Sequence, residues 1–225
     1  LSGNAWSEAT EIEPFFPTEQ PNKIAITDLL GNGTACIVWS SELQAYSQSP
    51  MRYMDLMGGK KPHLMVSHEN GMGKKTEVEY KSSTWFYLQD KLAGTPWITK
   101  LAFPVQVVAK TIVTESVTNV RFTAQYSYHH GYYDHAEREF RGFGRVDQTD
   151  TEYFDVFSKT GAENVVPEEH HQPPVLTKTW FHTGAFLDKE RILNQFKQEY
   201  WYEEYKKQGY TASPIEYELP DALLL

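Results

Sequence analysis

The sequence predicts a mainly β fold of antiparallel strands, with one amphipathic helix near its C-terminal end. Aromatic residues make up 14% of the 225 residues, and Tyr, Phe and Trp favour strands because their flat side chains pack well on a pleated surface. Several segments alternate between apolar and polar residues, which is the period of a half-buried strand. Turn-forming residues separate these segments, and this arrangement is typical of antiparallel sheets.

The first two predicted strands, 23–27 and 34–40, are joined by a Gly-rich turn. Asn-Gly supplies the positive φ angles that tight strand connections need, so the spacing predicts a hairpin. Such a hairpin is typical of a propeller blade or a sandwich. The residues that we assign to the turn are Asp28, Gly31, Asn32 and Gly33.

A looser stretch over 42–61 is rich in Ser, Gln, Pro and Gly and predicts an internal boundary. We therefore divide the chain into residues 1–57 and residues 58–225. Beyond the boundary, 75–81 alternates strictly, and 64–67 can pair with it across a Gly-containing loop.

Two further strands are predicted in the middle of the chain. Residues 105–114 are mostly β-branched, and alternation returns over 120–128. Residues 165–176 contain three prolines and are predicted to be a loop.

The predicted helix spans about 188–208. Asp188 is a plausible N-cap and Gly209 a stop. Aromatic and aliphatic residues recur at helical spacing and form a stripe along one side of the predicted helix. We interpret this stripe as the face that docks onto the sheet, with a partner-binding helix as the alternative. Its members are Ile192, Leu193, Phe196, Tyr200, Trp201 and Tyr205.

Charge and composition exclude several functional classes. Acidic residues outnumber basic ones by 30 to 21, giving a formal charge of −9, and no basic cluster could neutralise a row of phosphates, which argues against nucleic acid. Cys36 is the single cysteine, so we expect no internal disulfide and a buried thiol. No apolar stretch approaches the roughly 18 to 20 residues of a membrane span, and we expect no membrane insertion. We interpret the start at Leu1 and the apolar residues 222–225 as signs of a segment of a longer polypeptide.

Eight histidines raise the hypothesis of a metal site, above all His129 and His130 with His135. Adjacent residues on a strand point to opposite faces, so the first two would not readily bind one ion together. The turn at 28–33 is similar to calcium loops, but Leu30 offers no side-chain oxygen where a ligand is expected. We therefore predict a plain turn and no metal.

Carboxylates beside aromatic residues suggest a glycosidase as a second hypothesis. Asp134, Glu137 and Glu139 lie near Tyr132 and Tyr133 in sequence. Arg138 and Arg141 are close enough in sequence to pair with them as ordinary surface ions. With no nucleophile elbow, phosphate-binding loop or zinc-protease motif in the sequence, we predict that the segment is not an enzyme and holds no cofactor.

Four strings in the middle of the chain resemble the B component of the Tc insecticidal toxin complexes. The flanking strings GNGTAC (31–36), VWSS (38–41), TWFHTGA (179–185) and NQF (194–196) resemble the same family in the same order. The four central strings are YKSSTWFYLQDK (80–91), GTPWITKLAFPV (94–105), YSYHHGYYD (126–134) and EREFRGFGRV (137–146).

The resemblance implies a structural role. Residues 1–57 would be the end of an FG-GAP-like β-propeller that docks on the pore-forming A component. Residues 58–225 would begin an antiparallel shell of Rhs (YD) repeats that, with the C component, encloses a toxic enzyme. It further implies export from the bacterium as part of a secreted complex. The residues that carry the repeat character are Tyr133, Asp134, Arg141, Gly142, Gly144 and Arg145, whose glycines would permit bulges and close approach.

Two alternatives stay open at the level of sequence. One is a carbohydrate-binding or carbohydrate-cleaving β domain that uses exposed aromatic residues such as Trp85 and Tyr133 as stacking platforms. The other is the shell of a different Rhs polymorphic toxin.

Overall fold

The computed structural model describes residues 21–117, 120–154 and 167–200, together with residues 3, 8, 9, 11 and 158. The described strands form two antiparallel sheets, one of three strands and one of six. The chain divides into two compact units, of which the first comprises 1–30 and 34–60 and the second 31–33 and 61–225. The predicted antiparallel, mainly β fold is therefore confirmed, while the identity of the two parts as propeller end and shell start stays a prediction.

The first unit contains strands β1 (Lys23–Thr27), β2 (Cys36–Ser40) and β3 (Met51–Asp55), in that order across the sheet. The hairpin of β1 and β2 is confirmed, with Thr27 opposite Cys36. Central strand β2 supplies the core, because Cys36 and Trp39 are fully buried. A short 3-10 turn, η1 (Gln44–Tyr46), places Tyr46 edge-on to Trp39 with ring centroids 5.0 Å apart.

Strand β3 lies within the stretch that was expected to be loose, so that expectation was wrong there. Its side chains are mostly exposed, which removes the apolar alternation by which a strand is recognised in sequence. Pairing with β2 along its full length holds it in the sheet instead.

The six-stranded sheet of the second unit is a meander, because its strands are neighbours in the order in which they occur. The longest hairpin is formed by β7 and β8, whose pairing runs from Ala124 opposite Asp150 to Asp134 opposite Glu139. A register shift between Gly131 and Tyr133 interrupts it. The elements in chain order are β4 (Ser67–Glu69), β5 (Lys74–Ser82), α1 (Ser83–Leu92), β6 (Gln106–Glu115), β7 (Val120–Asp134), β8 (Glu139–Asp150), η2 (Glu168–His170), β9 (Val175–Trp180) and α2 (Lys189–Glu199).

Helix α1 was not predicted, so the expectation of a single helix was wrong. The helix begins where the Ser82 hydroxyl accepts a hydrogen bond from the Trp85 N–H, at 3.3 Å. The Ser83 hydroxyl then accepts one from the Val105 N–H, at 2.9 Å, and ties the helix start to the segment before β6. Phe86 is its one large buried side chain. One such residue gives no helical stripe, and the run of aromatic residues around it favours a strand in sequence.

Helix α2 confirms the predicted C-terminal helix but is shorter than expected. Asp188 precedes it without capping a backbone N–H and instead pairs with Arg191, at 2.9 Å. The helix ends at Glu199, because Tyr200 has extended backbone angles. Residues 201–208 and the expected stop, Gly209, lie outside the described residues. Ile192 and Phe196 form the buried face. None of the helices in the described ranges is long and apolar enough to cross a membrane.

Candidate functional site

The tip of the β7–β8 hairpin gathers the Tyr-Asp pair and the first arginine of the predicted repeat unit. Asp134 ends β7, and its Oδ1 accepts hydrogen bonds from the N–H groups of Ala136 and Glu137, at 3.0 and 3.2 Å. The Nε of Arg141 lies 3.4 Å from Asp134 Oδ2, and its Nη2 lies 3.5 Å from Glu139 Oε2. The carboxylates of Asp134 and Glu139 are thus used in turn formation and ordinary ion pairs.

The two glycines of β8 serve different purposes. Gly142 has a φ of 87°, and a Cβ added there would meet no other side chain or distant backbone atom within 4 Å, so the backbone conformation is what favours glycine there. Gly144 has no such φ, but a Cβ at this position would overlap Cζ of Phe196 and lie 3.1 Å from His130 Cβ. Close approach of α2 to the strand therefore requires glycine at position 144.

Arg145 begins a chain of buried charges. Its Nε and Nη2 contact the two carboxylate oxygens of Asp147, at 2.8 and 3.1 Å. Its Nη1 contacts Glu199 of α2, at 2.9 Å. All three side chains are less than a fifth exposed, so water screens these pairs less than it screens surface pairs.

His129 lies opposite Arg145 in the register of β7 and β8 and contacts two carboxylates. Its Nδ1 is 2.6 Å from Asp90 Oδ2 of α1, and its Nε2 is 3.5 Å from Asp147 Oδ2. The second distance is that of an ion pair rather than of a good hydrogen bond. The Trp97 Nε1–H donates to the same Asp90 oxygen, at 2.6 Å.

His130 is almost fully buried, with 2% of its surface exposed, and has a φ of 57°. The Ile98 N–H donates to its Nδ1, at 3.1 Å, so that nitrogen carries no proton and the ring is neutral. Its Nε2–H is then directed at Glu199, 3.0 Å from both carboxylate oxygens. Although adjacent in sequence, His129 and His130 thus contact carboxylates on different helices.

We call these six side chains the buried charge cluster. It joins α1 and α2 to the β7–β8 hairpin, and its members are Asp90, His129, His130, Arg145, Asp147 and Glu199.

The cluster shifts the ionisation of its members. Burial lowers the pKa of His129, but the ion pair with Asp147 and the hydrogen bond to Asp90 outweigh that effect, so the pKa lies above its ordinary value. Burial raises the pKa of Asp147, but the ion pair with His129 and the hydrogen bonds from Arg145 lower it further than burial raises it. For Glu199, hydrogen bonds from His130 and Gln195 and the charge of Arg145 overcome burial and lower the pKa to about 2. For His129, Asp147 and Glu199, the ionised forms are therefore the ones that the fold favours.

The cluster acts as a structural contact between the two helices and the hairpin. It contains no Ser, Thr, Cys or Lys side chain, and its hydrogen-bonding atoms face one another. Within the described ranges, no group of three or more His, Cys, Asp or Glu residues could hold a metal ion.

Sequence reasoning singled out His129, His130 and Arg145 but missed Asp90, Asp147 and Glu199. Arg145 and Asp147 are two residues apart on one strand and so share a face, which is the one local signal that was available.

The predicted turn lies in the loop between β1 and β2. Gly31 and Gly33 have φ angles of 63° and 83°, whereas Asn32 is not among the described residues with a positive φ. The expectation that Asn32 supplies such an angle was therefore wrong. Its backbone carbonyl instead accepts a hydrogen bond from the Gln106 side chain.

The two aromatic residues considered as sugar platforms are both engaged in internal contacts. The Lys81 ammonium lies 3.5 Å from the ring centroid of Trp85. Tyr133 packs edge-on against Phe103, with ring centroids 5.1 Å apart.

Comparison with known proteins gives one family. A family described as the insecticide toxin TcdB middle/N-terminal region matches residues 10–184. Among the curated proteins, none matches this chain.

Solved structures of Tc toxins share the fold. A Tc holotoxin pore of Photorhabdus luminescens with a mutated TccC3 is 29% identical over 83% of this chain, with a TM-score of 0.66. TcdB2-TccC3 without its hypervariable C-terminal region is 28% identical over 83%, with a TM-score of 0.63. TcdB2-TccC3-Cdc42 is 27% identical over 80%, with a TM-score of 0.61. The match spans 8% of the length of each of those chains.

Proposed function

Because this chain belongs to the family of the insecticidal toxin TcdB middle/N-terminal region, we propose that it is a non-enzymatic structural segment of a bacterial Tc toxin B component. The observation that carries the proposal is the family match over residues 10–184. The similarity to the Tc holotoxin pore and to TcdB2-TccC3, with TM-scores above 0.6 and identities of 27 to 29%, supports it.

Within the particle, residues 1–57 would end a β-propeller and residues 58–225 would begin an Rhs-type shell. The meander of β4 to β9 supports the second assignment, because each strand pairs with the next and such a sheet can be extended strand by strand. The hairpin built around Tyr133, Asp134 and Arg141 would be one unit of the shell wall.

The segment would act by enclosing and docking. Among the residues predicted from the sequence, the charged side chains of Asp134, Arg141 and Arg145 are occupied by internal contacts. The partners would be the C component, which supplies the rest of the shell and the cargo enzyme, and the A component, which the propeller would contact. Solved structures that pair TcdB2 with TccC3 support the first partner. Export as part of a secreted toxin complex follows from the same proposal.

Co-expression of the full-length parent protein with a C component tests this function. We expect the two to co-purify and an enclosed C-terminal polypeptide of the C component to resist added protease until the particle is denatured. A freely digested polypeptide, or no association at all, would contradict the encapsulation role.

A glycan-binding screen on the same material addresses the carbohydrate alternative. Sugar-specific binding that is lost on Trp85→Ala would favour that alternative over the structural role.

A further inference from the structure

His129 is held between carboxylates from two different elements. Asp90 belongs to α1 and Asp147 to β8, while His129 itself lies on β7. The distances from its two ring nitrogens to these carboxylates are 2.6 and 3.5 Å. The imidazole is 13% exposed and both carboxylates are 14% exposed, so water is a poor substitute for either contact. A doubly protonated imidazole can donate to both sides at once.

The charges around His129 favour its proton. Asp90 faces it from α1, and Asp147 and Arg145 face it from β8. Glu199 of α2 is connected to it through Arg145, while neighbouring His130 is neutral because its Nδ1 accepts a backbone hydrogen bond. With the proton present, the three carboxylates of Asp90, Asp147 and Glu199 are balanced by two cations, protonated His129 and Arg145. Without the proton, Arg145 alone balances them.

We propose that His129 is a proton-dependent clasp, which in its protonated form joins α1 to β8 across β7 and which weakens when the proton is lost at higher pH. The neutral ring keeps one N–H. With that hydrogen on Nδ1, the hydrogen bond to Asp90 persists, whereas the lone pair of Nε2 faces Asp147 at 3.5 Å and the attraction on that side disappears. This regulatory role goes beyond the proposed structural function and does not depend on it.

The direction of the pH effect follows from linkage. Burial lowers the pKa of His129 and the charge of Arg145 acts in the same direction, but the contacts with Asp147 and Asp90 raise it above the ordinary value of 6.5. A group with a raised pKa in the folded state stabilises the fold fully below its unfolded pKa. That stabilisation is lost as the pH rises from about 6.5 through the folded pKa.

Urea unfolding of the whole chain between about pH 5.5 and pH 9 tests the clasp, in a range that brackets the ordinary histidine pKa. His129→Gln keeps a neutral donor but cannot take up the proton. As the pH rises through the window, we expect the unfolding constant of the wild-type chain to increase relative to that of the variant, by up to about tenfold per pH unit. His135→Gln, in the exposed turn between β7 and β8, is the matched control and should follow the wild type.

An NMR titration of the histidine rings in the wild-type chain gives a second readout that does not require the variant to fold. We expect the His129 ring to titrate with a midpoint above about 6.5, the ordinary histidine value. A midpoint at or below that value overturns the proposal, as do identical pH slopes of unfolding for wild type and His129→Gln.

Discussion

Replacing Gly144 by Ala adds one methyl group at the closest approach between β8 and α2. That methyl would overlap Cζ of Phe196 and lie 3.3 Å from its Cε1 and 3.1 Å from His130 Cβ. Phe196 is 2% exposed, so its ring cannot swing into solvent without uncovering the helix face. The ring must leave its rotamer or the whole helix must move away from the strand.

Two opposing effects determine how much Gly144→Ala changes the free energy of unfolding. Overpacking of a well-packed core costs typically 1–3 kcal/mol, and we take about 2 kcal/mol because the obstacle is a ring held by a helix. Losing a glycine from the unfolded chain stabilises the fold by about 0.4–1 kcal/mol. The expected net loss in the free energy of unfolding is therefore about 1–1.5 kcal/mol, measured by urea unfolding at constant pH.

A double-mutant cycle with Phe196→Leu isolates the cause. Leucine lacks the Cζ and Cε atoms that the new methyl would meet, so in that background only the 3.1 Å contact with His130 Cβ opposes the gain from the unfolded chain. Gly144→Ala should therefore cost close to nothing there. The coupling between the two sites should then be about 1–2 kcal/mol, the range found for side chains in contact. An equal cost of Gly144→Ala in both backgrounds would refute the argument from Phe196 packing and leave the contact with His130 Cβ as the reason for the glycine.

Three further predictions use the same unfolding measurement. Gly142→Ala should lower the free energy of unfolding by about 1 kcal/mol through backbone strain alone. Because no atom lies near the added methyl group, the loss should be the same in the Phe196→Leu background, and a different loss there would contradict this account. Arg145→Lys keeps the charge but cannot bridge Asp147 and Glu199 with one planar group, so it should cost about 1–2 kcal/mol, and a neutral result would mean that the bridge is dispensable. The pKa of Glu199 is lowered from 4.5 to about 2, so this carboxylate contributes stability that is present above pH 4.5 and is lost as the pH falls towards 2. On the order of 2 kcal/mol of the stability that the wild-type chain loses between pH 4.5 and about pH 2, after allowance for partial exposure, should therefore be absent from Glu199→Gln. An equal loss of stability in the two proteins over this pH range would contradict the prediction.

The sequence predicted those strands whose pattern reports directly on burial. Residues 75–81 alternate because one face is covered, and the structure has a strand at Lys74–Ser82. By contrast, β9 was not predicted, because its six residues are mostly exposed and follow a proline-rich loop. Helix α1 was concealed by an aromatic composition that favours strands.

The buried charge cluster could not be derived from local patterns. Its contacts join positions 39, 54 and 69 residues apart, in the pairs of His129 with Asp90, Arg145 with Glu199, and His130 with Glu199. Only tertiary packing brings such residues together. The resemblance of residues 80–146 to a toxin family did not require that knowledge, because it rests on whole strings, and the family match confirms it.

The order of strands in the meander has a consequence for folding kinetics. Pairing closes short loops between β4 and β5, between β6 and β7 and between β7 and β8, so we expect these hairpins to form early and locally. Helix α2 reaches His130 only across 69 residues, so we expect it to dock last, after the rate-limiting barrier. Substitutions at Glu199 should therefore accelerate unfolding far more than they slow refolding, which stopped-flow chevrons would reveal as a φ-value near zero. A value near one would place the helix in the nucleus. With a φ-value near zero, by contrast, the lifetime of the native state is set by this late contact. Interactions that form after the barrier are the ones that determine the unfolding rate.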